Sequence, residues 1–179
     1  MKKYIYVSVF LLLVLLASSC QQKTTLQEYL VQSQDKNGFI TIDVPTSFLQ
    51  LKSKDVSQEV KATLKSIRKI NVVALPVKEN LKAVKVEKEI LKNIFTDTKK
   101  YKTLMSMKVK EMSVHIYYIG KTAAIDEVIA FGYGEKYGVG IARLLGKNMN
   151  PSNIIAMLNK LKIDSDRLNL EQFSAIFSK

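Results

Sequence analysis

From Phe39 to Val44 apolar and polar positions alternate, with Ile40, Ile42 and Val44 on one face and Phe39, Thr41 and Asp43 on the other. A period of two predicts a half-buried strand, and Pro45, which has no N–H to give to a ladder, ends it. The period then lengthens. Val56, Val60, Leu64 and Ile67 recur at helical spacing, which predicts a helix from a cap at Asp55 to about Ile67. Lys61, Lys65 and Arg68 lie one step around from that stripe, on the helix flank. Ile70–Leu75 is a short β-rich run ended by Pro76 and reads as a buried strand. Glu79–Phe95 carries the strongest helical pattern, with Ala83, Val86, Ile90 and Ile94 on one stripe and Val84, Leu91 and Phe95 widening it. Lys78, Lys82, Lys85 and Lys92 take much of its remaining surface.

At Tyr101 the period returns to two. Tyr101–Val109, Ser113–Ile119, Ile125–Tyr133 and Tyr137–Leu145 predict four consecutive strands, separated by short segments that suit hairpin turns. Asn150-Pro151-Ser152 is an N-cap followed by Pro at the first helical position. The helix it opens should run to about Leu161, with Ile154, Ile155, Leu158 and Leu161 facing inward. A last short helix from Asn169 has Gln172 at the capping-box position and Phe173, Ile176 and Phe177 to bury. This order of elements predicts an α+β two-layer sandwich: one largely antiparallel sheet of about six strands, with helices on one face. If the strands of the strand–helix–strand opening are parallel, their crossover should be right-handed.

The first residues break the pattern. Met1-Lys2-Lys3 is a positive start, Tyr4–Leu16 an almost wholly apolar run of thirteen residues, and Ala17-Ser18-Ser19 a small-residue exit before Cys20. The run is shorter than the roughly 18–20 residues that span a bilayer comfortably, so a secretory signal fits better than a membrane helix. Cys20 is the only cysteine of the chain, which excludes a disulfide framework and Cys-rich zinc modules. Its position resembles the bacterial lipoprotein signal, in which the cysteine thiol is acylated and becomes the first mature residue. Ala17 stands where Leu is commonest in that signal. Residues 1–19 are then signal peptide, 20–37 an acylated tether that includes a possible short helix, and 38–179 one domain. Gln21 is not the Asp of an inner-membrane retention pattern, and Gln21–Thr25 lacks the acidic cluster of surface-exported lipoproteins. The expected location is the outer membrane, facing the periplasm.

The 179 residues carry 28 basic and 16 acidic side chains. Loss of residues 1–19 removes Lys2 and Lys3 and no acid, which leaves a net charge of +10. Arg68, Arg143 and Arg167 are the only arginines. Base and phosphate recognition favours the bidentate fork of Arg, so a Lys-dominated surplus argues against sequence-specific nucleic-acid binding. Lysines near an anionic surface contribute up to about 1 kcal/mol each. Lys61, Lys65, Arg68, Lys78, Lys82, Lys85 and Lys92 are therefore candidate contacts to anionic lipid or envelope polymer; the plainer reading is a solvated surface.

Candidate chemistry is sparse. His115 is the only histidine, mid-strand, with Asp126 and Glu127 on the next predicted strand. A carboxylate-oriented His can act as a general base, but no nucleophile sits in a recognisable elbow and the three lack metal-ligand spacing. No catalytic residue, metal or cofactor is assigned. Gly132–Gly140 holds four glycines with Tyr133 and Tyr137, which suits either an aromatic ligand loop or a plain hairpin. Met105, Met107 and Met112, with Tyr101, Tyr117 and Tyr118, could line an adaptable apolar groove if the second face of the sheet is bare.

Phe39-Ile40-Thr41-Ile42, Ile67-Arg68-Lys69-Ile70-Asn71-Val72, Tyr101-Lys102-Thr103-Leu104-Met105, Ile125-Asp126-Glu127-Val128 and Leu145-Gly146-Lys147 lie within Gly38–Leu161. This stretch resembles a family of small Bacteroidetes-type envelope lipoproteins catalogued only as a domain of unknown function. Lys69 stands where the family pattern has Gly, so the left-handed turn that Gly would favour there is not assumed. The resemblance implies a lipoprotein with a shared fold and no activity. The expectation is a non-catalytic, lipid-anchored accessory or sensor domain acting on an unidentified envelope protein. A basic surface-binding module is the alternative.

Overall fold

The computed structural model describes residues 24–51 and 57–163. Chain order is helix α1 (Leu26–Gln32), β1 (Ile40–Val44), β2 (Leu49–Leu51), α2 (Gln58–Ser66), β3 (Lys69–Pro76), α3 (Leu81–Ile94), β4 (Lys102–Val109), β5 (Met112–Lys121), β6 (Ala124–Gly134), β7 (Gly138–Met149), α4 (Pro151–Lys160) and β8 (Leu161–Ile163). Six strands form one sheet in the order β1-β3-β7-β6-β5-β4, and β2 pairs with β8 separately. Every pairing in both sheets is antiparallel. The fold is α+β with a six-stranded antiparallel sheet, as the hydrophobic pattern predicts. Because β1 and β3 also run antiparallel, the strand–helix–strand opening is not a parallel crossover. Lys69 opens β3 opposite Leu145 without a positive φ.

The helices are not confined to one face. Val73 and Leu75, Ile129 and Phe131, and Val139 and Ile141 point to one side, where Leu26, Tyr29 and Leu30 of α1 and Val84, Leu91 and Ile94 of α3 meet them. Ile116, Tyr118, Val128 and Leu144 point to the other side, against Val60 of α2 and Ile154 and Met157 of α4. The expected two-layer arrangement is thus corrected to helices on both faces. The cause lies in the central strands: Val128-Ile129-Ala130-Phe131 is apolar at every position, and a strand apolar on both sides needs cover on both sides.

Residues 26–32, expected within a tether, form a helix that belongs to the packed domain. Thr25 and Glu28 make a reciprocal capping box, with the Thr25 N–H donating to Glu28 Oε2 at 2.7 Å and the Glu28 N–H to Thr25 Oγ1 at 3.2 Å. Burial of Leu26, Tyr29 and Leu30 then fixes the helix to the sheet. Ser57 caps α2, accepting from the Val60 N–H; the expected cap, Asp55, lies outside the described residues. Asn150 caps α4 by accepting from the Ser152 N–H at 2.9 Å. In α4 the structure buries Ile154 and Met157 and leaves Ile155 half-buried. The side chains of Leu158 and Leu161, the helix expected from Asn169, and Cys20 lie outside the described residues.

Helix α3 is turned relative to its expected stripe. Its buried residues are Val84, Glu87, Leu91 and Ile94, whereas Val86 is 58% exposed. Glu87 occupies a core-facing position because Lys36 Nζ donates to its Oε1 at 2.9 Å. A charge in that register hides the true stripe from any count of apolar positions. Leu91→Ala should therefore cost about 2–5 kcal/mol, while Val86→Ala should stay within about 0.5 kcal/mol. Urea denaturation of the two variants checks this, and equal losses would place the helix in the other rotation.

Candidate functional site

Burial along the central strands divides the two faces unequally. Val73, Leu75, Phe131, Val139 and Ile141, all under α1 and α3, are buried. Their neighbours Val72, Ala74, Ala130, Gly132, Gly140 and Ala142, on the opposite face, are only half-buried. Helices α2 and α4 cover that opposite face around Leu144, Val128 and Ile116, and stop short of its other end. What remains is a groove of about 200 Å3 with a floor of small residues from β3, β6 and β7, bordered by Met112, Val114 and Tyr137. No charged side chain lines it. Met105 and Met107 pack on the same face, and Val109, on the edge strand β4, is half exposed. Methionine adapts its shape to what it meets, so the border can adjust to an occupant.

The sequence singles out the methionines, Tyr137 and the glycines of Gly132–Gly140, but not the alanines of the floor or their alignment with those glycines. Their signal is small residues at alternate positions on neighbouring strands: Ala74 opposite Gly140, Ala130 opposite Ala142, and Gly132 opposite Gly140. It becomes visible only once the register is known. Tyr101 and Tyr117 belong to the first face and Tyr118 to the second, so the six methionines and tyrosines do not share one groove.

Tyr133 and Tyr137 part at the β6–β7 turn. Tyr137 borders the groove. Tyr133 lies on the first face, with Lys88 Nζ 4.5 Å and Lys92 Nζ 5.6 Å from its ring centroid and the His115 ring 5.9 Å away. The two tyrosines therefore form no joint stacking platform. His115 is one member of an aromatic row with Tyr117, Phe131 and Tyr133. Its Nδ1 lies 3.0 Å from Ser106 Oγ. Glu127 faces Ile119, four residues along β5 from His115, and its carboxylate takes two hydrogen bonds from Arg143 at 2.7 and 2.9 Å. Arg143 also donates to Gln27 of α1 at 2.7 Å, so this cluster clamps α1 to the sheet. The fold does not bring His115 to Glu127, and Asp126 is exposed. No group of three metal-ligating side chains occurs among the described residues.

The basic candidates separate too. Lys61 and Lys65 are on α2 and Arg68 follows it, on the groove side of the sheet, whereas Lys82, Lys85 and Lys92 are on α3, on the other side. Arg68 donates to the Gly146 carbonyl at 2.9 Å, and Lys92 pairs with Glu89 at 3.1 Å. Lys78 sits beside a separate cleft of about 380 Å3, with Asn37, Phe39 and Asn80. These seven side chains do not make a single basic surface.

Tyr29, Tyr117 and Lys136 have shifted titration with a clear structural cause. Burial, reinforced by the nearby Glu87 carboxylate, pushes the Tyr29 hydroxyl well above its ordinary range. Burial first and the neighbouring Tyr133 second raise Tyr117. A hydrogen bond to Glu111 raises the exposed Lys136. Tyr29 and Tyr117 belong to the first face, and Lys136 sits at the β6–β7 turn beside Tyr137.

Enlarging a residue of an open floor should cost little stability yet remove the groove. Ala142→Leu should shift stability by less than about 1.5 kcal/mol and reduce binding of an environment-sensitive apolar dye several-fold. Urea denaturation and dye fluorescence measure the two effects; unchanged dye binding would mean that the groove is not accessible in solution.

Among the described residues no helix is long and apolar enough to cross a membrane. Neither a curated protein nor a solved structure matches the chain. A family model matches residues 29–157, from the middle of α1 to well into α4, and so takes in the whole six-stranded sheet. The chain thus belongs to the family described as Domain of unknown function (DUF4252).

Proposed function

We propose that this chain is a non-catalytic envelope lipoprotein that acts as an accessory or sensor domain through protein contacts. Acylated Cys20 holds it to the outer membrane, facing the periplasm. The observation that carries the reading is the groove. Its volume of about 200 Å3 suits one or two large apolar side chains. It is smaller than the roughly 300–1,000 Å3 that encloses a typical small ligand. A pocket of that size with no charged side chain in its lining fits an anchor residue of a polypeptide better than a metabolite. Two or more acyl chains would supply the firm tether that a single chain does not.

In-cell crosslinking of the full-length protein, followed by mass spectrometry, tests this. A specific partner should be recovered with the native chain, and its yield should fall at least tenfold with Cys20→Ala and with Ala142→Leu. Recovery of the same neighbours from all three forms would overturn the reading.

The alternative is a basic module for anionic lipid or polymer. The net charge of +10 after residue 19 and the exposed Lys78, Lys82 and Lys85 at the start of α3 support it. Because the lysines of α2 face the other way, contact would rest on the α3 group alone. Sedimentation with vesicles of anionic lipid should then drop steeply between low and physiological salt. It should also drop with Lys82→Glu combined with Lys85→Glu, and not with Lys61→Glu combined with Lys65→Glu. Binding that ignores salt, or no binding, would remove this alternative.

A further inference from the structure

The cleft beside Lys78 lies on the first face, opposite the groove. Phe39, Leu75 and Ala83, which line it, belong to the core under α1 and α3. Its volume of about 380 Å3 falls within the roughly 300–1,000 Å3 of small-molecule sites. The lining divides in two. Phe39, Leu75, Pro76 and Ala83 make an apolar floor, and Lys78 and Asn80 add polar ends beside it. Gly38 keeps that floor open, since a Cβ there would meet Leu75 Cδ1 at 3.4 Å. Asn80 Oδ1 accepts from the Ala83 N–H at 2.9 Å, so α3 engages the oxygen of this amide and leaves its N–H groups to donate elsewhere. Lys36 is already committed: its Nζ pairs with Glu87 at 2.9 Å and lies 5.6 Å from the Phe39 ring centroid.

We propose that this cleft binds a small organic acid, whose carboxylate meets Lys78 and the Asn80 amide while its apolar body covers the floor. Among the described residues no carboxylate lines the cleft, and along residues 76–85 Lys78, Lys82 and Lys85 outnumber Glu79. The surroundings therefore favour an anion and repel a cation. One ammonium and one amide suit the single charge and two oxygens of a carboxylate. A phosphate is better held by the fork of an arginine, and among the described residues none lines the cleft. A sugar fits less well, because the Phe39 ring on which it would stack already meets Lys36 and, edge-on at 6.5 Å, Tyr29. Cleft and groove lie on opposite faces of the sheet, so the acid site does not depend on a protein partner at the groove.

Saturation-transfer NMR with octanoate as the probe tests the site, on the full-length protein in nanodiscs of zwitterionic lipid with empty nanodiscs as the blank. Octanoate should receive signal well above the blank. Acetate, which lacks the apolar body, and octylammonium, which reverses the charge, should bind several-fold more weakly. Lys78→Gln should weaken octanoate binding about threefold to fivefold, and Ala83→Leu, which fills the floor, should weaken it at least as much. Lys61→Gln, on α2 across the sheet, should change nothing. Lys78 is exposed, so its variant keeps the fold even if Ala83→Leu does not. Octanoate signal no higher than the blank, or equal affinity for acetate or octylammonium, would overturn the proposal. Loss with Ala83→Leu but not with Lys78→Gln would also overturn it and make the cleft a neutral apolar site. Equal weakening by Lys61→Gln would do the same, by tracing the attraction to net charge alone.

Discussion

A sheet whose central strands are apolar on both sides needs helical cover on both, and that requirement organises the molecule. Val128-Ile129-Ala130-Phe131 in β6 presents side chains alternately to two cores, and in β7 Ile141 faces the first and Leu144 the second. Each core recruits its own pair of helices, α1 with α3 on one side and α2 with α4 on the other. Burial of apolar surface, at roughly 25 cal/mol per Å2, is the dominant favourable term available to a chain of this size. Short connections make β4–β7 antiparallel: the four strands form a meander whose neighbours in sequence are neighbours in the sheet.

Charged residues set the orientation of the helices on the first face. Glu127, on a strand, and Glu87, on a helix, are both buried, and each finds a cation from a different part of the chain: Arg143 for the first and Lys36 for the second. Breaking one partner of such a pair leaves a desolvated charge and costs more than the pair contributes intact. The pairs therefore act as registers. Arg143 also holds Gln27, and Lys36 lies just beyond α1, so both carboxylates bear on where α1 sits. This helix is the described element nearest in sequence to Cys20.

The second face differs in kind. Its covered end is built from large residues, Ile116, Tyr118, Leu144 and Met149, and its other end from alanine and glycine. Small residues lower the floor and bring an occupant close to the backbone, while Met112 and Tyr137 border it with large, partly exposed side chains. An apolar surface of this shape favours occupation by a narrow, bulky-sided segment of polypeptide. Among the described residues, no charged side chain lines the groove.

Local patterns in the sequence determine most of the elements. Alternation marks the strands from Tyr101 to Leu145, Pro45 follows β1 and Pro76 is the last residue of β3, and Asn150-Pro151 opens α4. These depend on neighbours within a few residues, and the physics of caps, turns and pleats is local. The charged, apolar and small-residue succession before Cys20 is likewise a property of the linear chain. What only the tertiary structure decided is which faces meet. The rotation of α3 depended on a lysine 51 residues away in sequence that neutralises Glu87. The separation of Tyr133 from Tyr137 depended on the alternation across the β6–β7 hairpin, and that of the two lysine groups on which face each helix took. The groove itself arose from strand register, which aligned alanines and glycines of three strands that the linear sequence keeps apart. Long-range pairing fixes such juxtapositions, and no local propensity encodes them.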